Sequence, residues 1–153
     1  MTTLERLTAD LTTSMKARDA FRTNTLRQVI GAVRAAEKSG PVAVELDDDQ
    51  VQAVLASEVK KRRESAEIYT TAGATDRATT ETSEADLIES YLPTALGEAE
   101  LDEVVAAAIS ETGATSMRDM GAVMRAAQAA AAGRGRVDGK VLSQRVKAAL
   151  SAG

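Results

Sequence analysis

Two short stretches decide how the last third of this chain folds: GATSMRDMG at residues 113–121 and GRGRVDGK at residues 133–140. In the first stretch, Gly113 closes one helix in the left-handed position that favours glycine. Residues 116–119 then form a variant of the capping box, which starts the next helix. In the second stretch, Gly133 ends that helix and Asp138 begins the last one. These signals predict three short helices in close succession.

The apolar residues between these signals recur at spacings of three and four, as they do along one face of a helix. We therefore predict a compact three-helix bundle over residues 97–153. Its expected core comprises Leu101, Val104, Val105, Ala108 and Ile109 in the first helix, Met117, Met120, Met124 and Ala127 in the second, and Leu142, Val146, Ala149 and Leu150 in the third.

Residues 1–93 show the same helical period in longer segments. Two apolar stripes predict a helical hairpin, which the Gly-Pro pair at residues 40–41 ends. The run Asp47-Asp48-Asp49 then supplies an N-cap and first-turn negative charge for a long helix, which Gly73 stops. A fourth helix runs from near Thr75 to Tyr91, and Pro93 prevents its continuation. The two stripes of the hairpin are Leu4, Leu7, Leu11 and Met15, and Leu26, Val29, Ile30 and Val33.

The chain is therefore predicted to be all-α and two-lobed, because no segment alternates as a half-buried strand does. An N-terminal lobe of long helices is expected over residues 1–93. A C-terminal three-helix bundle is expected over residues 97–153. The connection at residues 92–97 is the expected hinge.

The composition excludes much of enzyme chemistry. The 153 residues include no Cys and no His, so the chain lacks thiolates, disulfides, the commonest metal ligand and the usual general base at neutral pH. Neither a GxGxxG nor a GxxxxGK[ST] loop is present to bind a nucleotide. We interpret Asp47-Asp48-Asp49 as helix-start residues, since no EF-hand spacing follows them. We expect no catalytic residue, no metal and no cofactor.

The sequence also bears on where the protein works. No run approaches the roughly 18 apolar residues that a membrane-spanning helix needs. The N-terminus has an amphipathic pattern of acidic and basic residues where a secretory signal peptide has an apolar core. We expect a cytoplasmic protein with no membrane partner.

The charges are unevenly distributed along the chain. From Ala114 to Gly153 there are seven basic residues and two acidic ones, a local charge of +5 in a chain whose net charge is −4. Such asymmetry predicts an anionic partner for the tail, and RNA is the first candidate. The predicted nucleic-acid contacts are Arg134, Arg136, Lys140, Arg145 and Lys147.

Each of these contacts also has a plainer explanation. The glycines around Arg134 and Arg136 suggest free backbone N–H groups beside two guanidiniums, which is a phosphate-binding arrangement, but a glycine-capped connection with solvated arginines explains them equally well. Arg145 and Lys147 lie off the apolar strip of the last helix, as residues of an ordinary solvated face also do. No ring follows Tyr91, so any RNA contact is expected at phosphates, ribose and shape.

Lys60, Lys61 and Arg63 form a secondary basic patch on the long helix. Four consecutive residues of a helix turn through roughly 400°, so residues 60–63 cannot all face one groove. Intrahelical ion pairs such as Lys60–Glu64 and Arg63–Glu67 are the favoured explanation of these cations.

Three further arginines mark the N-terminal hairpin, at Arg18, Arg22 and Arg27. We interpret them in the same structural way, as capping groups or as partners of Asp19. They rank below the tail loop as candidate contacts.

The order of several short motifs resembles the YqeY family. In the second half the resemblance is carried by Tyr91-Leu92-Pro93 and by residues 113–124 and 133–150. It covers nearly the whole chain. In the first half, the motifs that occur in the family's order are Leu26-Arg27, the run Lys60 to Ser65, Ala72-Gly73, Asp76, and Glu81 with Glu84.

The family shares a domain, the GatB/YqeY domain, with the tail of the GatB component of the tRNA-dependent amidotransferase. The resemblance implies an all-α fold in which residues 97–153 correspond to that tail. In the amidotransferase, the tail helps to hold tRNA while ammonia from glutamine amidates a misacylated aminoacyl group. This chain looks like the tail without the cradle domain of the larger protein.

The resemblance therefore implies a non-catalytic accessory module that binds tRNA or a tRNA-handling protein complex. It also links the chain to carbon–nitrogen ligase activity with glutamine as amido-N-donor. The alternative is a protein-interaction adaptor with no RNA role, in which the acidic N-terminal lobe binds a basic partner.

Overall fold

A computed structural model of the chain describes residues 1–152. Within these residues there are seven α-helices, one 3₁₀ turn and no strand, which confirms the all-α prediction. The described contacts divide the chain into two compact units, one formed by Met1–Leu92 and one that starts at Pro93. Among the described residues, no helix combines the length and the apolar character needed to cross a bilayer.

Four helices form the first unit. They are α1 (Thr3–Lys16), α2 (Ala20–Glu37), α3 (Asp48–Thr71) and α4 (Thr75–Glu89). Their fully buried side chains come from the predicted stripes and from α3 and α4: Leu7, Leu26, Val29, Val33, Leu55, Ala85 and Ile88.

Met15 is an exception to the predicted core of the hairpin, because 49% of it is exposed. It lies in the last turn of α1, where Ser14 takes the buried position instead. The Ser14 hydroxyl lies 2.9 Å from the hydroxyl of Thr23 on α2, so a polar contact closes this end of the hairpin.

The acidic run before α3 caps two helices. Asp47 is the N-cap of α3, as the sequence predicts, and its side chain and that of Gln50 also form a reciprocal capping box, which is not predicted from the sequence. The neighbouring Asp48 accepts a hydrogen bond of 2.7 Å from the backbone N–H of Thr3, at the start of α1. That hydrogen bond lowers the pKa of Asp48. The run thus ties the N-terminus of α1 to that of α3.

Two helices of the first unit end in the same motif with different residues. After α3, Gly73 adopts a φ of 77°, its N–H donates to the Thr70 carbonyl, and the next N–H donates to the Tyr69 carbonyl. After α1, Arg18 adopts a φ of 58° and makes the equivalent bond to Met15, and Asp19 donates to Ser14. A residue with a Cβ atom loses about 1 kcal/mol of conformational free energy in the left-handed region, so arginine is less favourable than glycine at this position.

A nearly buried guanidinium joins three helices of the first unit. Arg62 on α3 is 9% exposed. Its Nε donates to Glu84 on α4 at 3.1 Å, its Nη1 donates to Glu58 one turn earlier at 3.1 Å, and its Nη2 donates to Gln28 on α2 at 2.8 Å. Arginine suits this position because its planar fork presents several donors in fixed directions.

Tyr91 closes the first unit. Its ring is 4% exposed, the guanidinium of Arg6 lies 5.2 Å from the ring centre, and its hydroxyl donates a short hydrogen bond to Asp10 on α1. Burial, and then the hydrogen bond to Asp10, raise the pKa of Tyr91 to about 12. The ring of the Tyr91-Leu92-Pro93 motif is therefore a packing residue that ties the end of α4 to α1.

The second unit contains α5 (Glu98–Thr112), a 3₁₀ turn (Met117–Asp119), α6 (Met120–Ala131) and α7 (Gly139–Ala152). Gly113 ends α5 in the left-handed region, and Ser116 with Asp119 forms the predicted capping box. The core joins residues of all three helices and of the segment before α5, namely Leu96, Val104, Ala108, Val123, Ala127, Ala131, Leu142, Val146 and Leu150.

The prediction that Met117 belongs to the buried stripe of α6 is wrong, because Met117 is 45% exposed. Met117 lies in the 3₁₀ turn, which has a different period from the α-helix that follows. The α-helical phase starts only at Met120, and it turns Val123 into the core while Met120 and Met124 flank it.

We expect Arg62→Ala to lower the free energy of unfolding of the first unit by roughly 2 kcal/mol, because within the described residues it leaves the mostly buried Glu84 without an ion pair and takes one of two cations from Glu58. Urea unfolding followed by tyrosine fluorescence measures this loss, since both tyrosines lie in the first unit. The matched control is Lys61→Ala, which removes an exposed cation 3.5 Å from the same Glu58 and should cost at most a few tenths of a kcal/mol. Equal losses in the two variants would contradict the role given to Arg62.

The raised pKa of Tyr91 predicts a pH dependence. The folded state holds the phenol proton more tightly than the unfolded state, so the stabilisation is complete below pH 10 and is lost as the pH rises through about 12. We expect the first unit to lose stability over this range. Tyr91→Phe should be less stable at neutral pH by about 1 kcal/mol but should show a flatter profile. Thermal unfolding at several pH values checks this, and parallel profiles for the two proteins would refute it.

Candidate nucleic-acid interface

The loop between α6 and α7 uses its backbone to bind another part of the same unit. The N–H of Arg136 donates to the Thr94 carbonyl at 3.1 Å, and the N–H of Leu96 donates to the Arg136 carbonyl at 3.0 Å. The N–H of Arg134 donates to Ala131 at 3.0 Å. The backbone N–H groups of both arginines are therefore used by the fold itself and are not free to bind phosphate.

Gly135 permits this close approach. A Cβ atom at this position would lie 2.7 Å from the Thr94 carbonyl oxygen and 3.0 Å from a methyl carbon of Leu96. No side chain fits at 2.7 Å from a backbone atom without a shift of one of the two segments. The middle glycine of the GRGR stretch is thus explained by packing between two backbone segments.

Two of the five predicted contacts are paired with carboxylates of α5. The Arg134 Nη2 lies 2.9 Å from Glu103. The Arg145 Nη1 lies 2.5 Å from Asp102, and its Nη2 lies 3.5 Å from Glu98. These carboxylates are at least two-thirds exposed, so the pairs are surface ion pairs that contribute at most about 1 kcal/mol each and that a phosphate can displace.

The two lysines among the five predicted contacts have a different environment. Lys140 and Lys147 are exposed, and within residues 1–152 neither has an ion-pair partner. They are seven residues apart on α7, which places them on one face about 10 Å apart along the helix. Asp138 caps this helix through the N–H groups of Lys140 and Val141, as the sequence predicts.

The fold changes the charge balance behind the predicted tail site. From Pro93 onward the chain has seven basic and seven acidic residues, because α5 adds five carboxylates to the two counted from Ala114. The second unit is therefore neutral. The whole net charge of −4 belongs to the first unit, with twelve basic and sixteen acidic residues. A charge count that starts at Ala114 omits α5, although its carboxylates are visible in the sequence.

The secondary patch on α3 is largely engaged within the first unit. Arg63 does not follow the predicted intrahelical pairing with Glu67. Its Nη2 lies 2.9 Å from both Asp86 and Glu89 on α4, and these hydrogen bonds, with Glu89 the larger contributor, raise the pKa of Arg63. Lys61 lies 3.5 Å from Glu58, while Lys60 is exposed. Of the patch, Arg63 therefore joins α3 to α4, whereas Lys60 and Lys61 keep their side chains exposed.

Comparison with known proteins adds two findings. A protein-family model described as Yqey-like protein matches residues 4–150. The chain is also similar to "Altered inheritance of mitochondria protein 41, mitochondrial" from Meyerozyma guilliermondii, with 36% identity over 90 residues. That match covers 59% of this chain and 46% of the relative, so the matched region is less than half of the relative's length.

We expect Gly135→Ala to disrupt the pairing between the loop and the segment before α5, at a cost of roughly 1–3 kcal/mol. Amide hydrogen exchange should show lost protection at the N–H groups of Leu96 and Arg136. The matched control is Gly139→Ala, where a Cβ meets no atom within 4 Å and the residue lies in a helix, so stability should stay equal or rise. Unchanged protection of both amides in Gly135→Ala would show that the close approach is not required.

Proposed function

This chain belongs to the Yqey-like protein family, and from that premise we propose that it is a non-catalytic accessory module that binds tRNA. The contact runs through phosphates and ribose on the face of α7, in the unit that resembles the tail domain of the amidotransferase. The module acts beside a tRNA-handling protein complex, which carries out any glutamine-dependent amide chemistry.

The observation that carries the proposal is the composition of α7. The helix contains Lys140, Arg145 and Lys147 and no carboxylate. Two of these cations are exposed without an ion-pair partner in the described residues, and the third is paired only with exposed carboxylates of α5. A helix that carries several cations and no carboxylate is a suitable contact for one strand of a phosphate backbone.

The structure also supports a change in which residues rank first. Arg134 and Arg136 lie in a loop whose backbone is used by the fold, and Arg134 is paired with Glu103. Lys140 and Lys147 are exposed without a competing carboxylate in the described residues. We therefore place the first contact on α7 and treat the loop arginines as secondary contacts that exchange an internal partner for a phosphate.

The absence of aromatic residues after Tyr91 favours recognition of the shape of an RNA over recognition of its base sequence. Sequence-specific readers of single strands stack bases on rings, which this unit lacks. A folded RNA such as tRNA presents closely spaced phosphates that fixed cations can recognise without stacking.

One observation favours the protein-interaction adaptor as a second candidate. The first unit carries the entire net charge of −4, which would attract a basic partner protein. Location is a proposal as well: we propose the cytoplasm, whereas the name of the fungal relative places that protein in mitochondria.

We expect labelled total tRNA to bind the full chain in a fluorescence-anisotropy titration, with an affinity that falls as salt is raised. The double variant Lys140→Ala, Lys147→Ala should reduce the slope of log K against log salt by roughly 1.5 units, because two phosphate contacts are lost. The matched control is Arg118→Ala, Arg125→Ala, which removes the same charge from exposed residues of the same unit that are not among the predicted contacts.

The two ways of failing have different meanings. If the wild-type chain does not bind tRNA even at low salt, the RNA function is wrong and the adaptor becomes the better candidate. If the α7 variant and the control variant change binding equally, RNA binding stands but the face of α7 is not the site.

A further inference from the structure

We propose that the turn between α1 and α2 is a second RNA contact, centred on Arg18. We call this surface the hairpin tip and define it as Met15, Lys16, Arg18, Phe21 and Arg27. It lies in the first unit, whereas α7 belongs to the second, and the proposal rests on the proposed function only in sharing the same ligand.

The backbone at Arg18 is the first observation. Arg18 occupies the left-handed position that ends α1, with a φ of 58°, and it is the one residue other than glycine with positive φ in the described part of the chain. The equivalent position after α3 is taken by Gly73. Glycine would be more stable at this position. An arginine here lowers the stability of the turn, which indicates that its side chain has another role. Strained residues of this kind concentrate at functional sites.

The second observation is that the cations of the tip have no ion-pair partner in the part of the chain that the structure describes. Asp19 is the nearest carboxylate in the sequence, and it caps α2 by accepting the N–H of Arg22 at 3.1 Å. Of the two predicted explanations of these arginines, capping and pairing with Asp19, no ion pair among the described residues supports the second. Within residues 1–152, no ion pair involves Lys16, Arg18 or Arg27. Of the other nine cations of the first unit, Arg22, Lys38 and Lys60 also have no ion pair within residues 1–152, whereas six are held by carboxylates or rings: Arg6, Arg34, Lys61, Arg62, Arg63 and Arg77.

The third observation is that two apolar side chains at the ends of this turn are exposed. Phe21 in the first turn of α2 is 41% exposed, and Met15 is about half exposed. The Arg27 Nη2 lies 3.8 Å from the Met15 sulfur, so this guanidinium lies beside the end of α1. Of the three aromatic rings in the chain, Phe21 is the most exposed, and it lies close in the sequence to all three cations.

These features fit RNA better than a lipid bilayer. Cations beside an exposed ring bind a phosphate backbone with one base stacked on the ring, and such stacking tolerates any base. A bilayer contact needs a broad apolar helix face in addition to cations, and the tip offers two half-exposed apolar side chains. The first unit also has a net charge of −4, which an extended anionic surface would repel more than a local strand of phosphates would.

The residue at position 18 allows a test that separates stability from binding. We expect Arg18→Gly in the full chain to unfold at the same or a higher temperature, since glycine relieves the left-handed backbone. The same variant should bind labelled total tRNA about fivefold more weakly at low salt, because one phosphate contact is lost. A purely structural role for Arg18 predicts no change in binding.

Two further variants sharpen the result. Arg18→Lys keeps the cation and the strained backbone, so it should retain most of the tRNA affinity with no gain in stability. The triple variant Lys16→Ala, Arg18→Gly, Arg27→Ala should weaken binding on the order of a hundredfold if the three contacts add. Lys38→Ala removes an exposed cation at the end of α2 and is the matched control, with little expected change.

Several results would overturn the proposal. Arg18→Gly with unchanged tRNA affinity would show that the arginine is not used for RNA. Binding of the wild-type chain to phosphatidylserine vesicles that the triple variant loses, with tRNA affinity intact, would assign the tip to a membrane instead.

Comparison with the α7 variant separates the two proposed sites. If the α7 variant binds tRNA normally and the triple variant does not, the hairpin tip stands while the face of α7 fails. If the triple variant binds normally and the α7 variant does not, the reverse holds.

Discussion

The buried guanidinium of Arg62 is the interaction on which the first unit depends most. A chain with 44% apolar residues but only three aromatic rings fills its core mainly with aliphatic side chains, so polar contacts with fixed geometry add to the specificity of its packing. Arg62 provides them by donating to Glu58, Glu84 and Gln28, which belong to α3, α4 and α2. Such a network contributes less to stability than apolar packing would, but it accepts only one arrangement of the three helices.

Ion pairing decides which cations of the second unit are available to a partner. The helix α5 is adjacent to α7 in the bundle, and its carboxylates reach Arg134 and Arg145. The stretch from Ala114 to Gly153, with a charge of +5, is therefore part of a neutral unit. In this unit the carboxylates of α5 and the cations of α7 lie on different helices. An anionic ligand is recognised by the cations that the fold leaves without a carboxylate, and the total charge of the sequence does not identify them.

Most of the helices were predictable because the residues at their ends carry recognisable start and stop signals. Gly73 and Gly113 stop helices in the left-handed region, Asp47 and Ser116 start them, and the capping box predicted at Ser116 is present. The family resemblance was also predictable, since it rests on the order of short motifs. The errors occurred at Met15 and Met117, which lie where a helix ends or changes period, so that a regular spacing no longer shows which way a side chain points.

The amino-acid sequence by itself determined the all-α class, the positions of the helix ends and the lack of histidine and cysteine chemistry, because each of these depends on residues close together in the chain or on composition alone. Only the tertiary structure decided which charges are free. Arg63 pairs with residues 23 and 26 positions away, Arg134 with a residue 31 positions away, and Arg145 with one 43 positions away. The physical reason is that an ion pair needs contact within about 4 Å, and helix packing, not local spacing, brings such distant residues together.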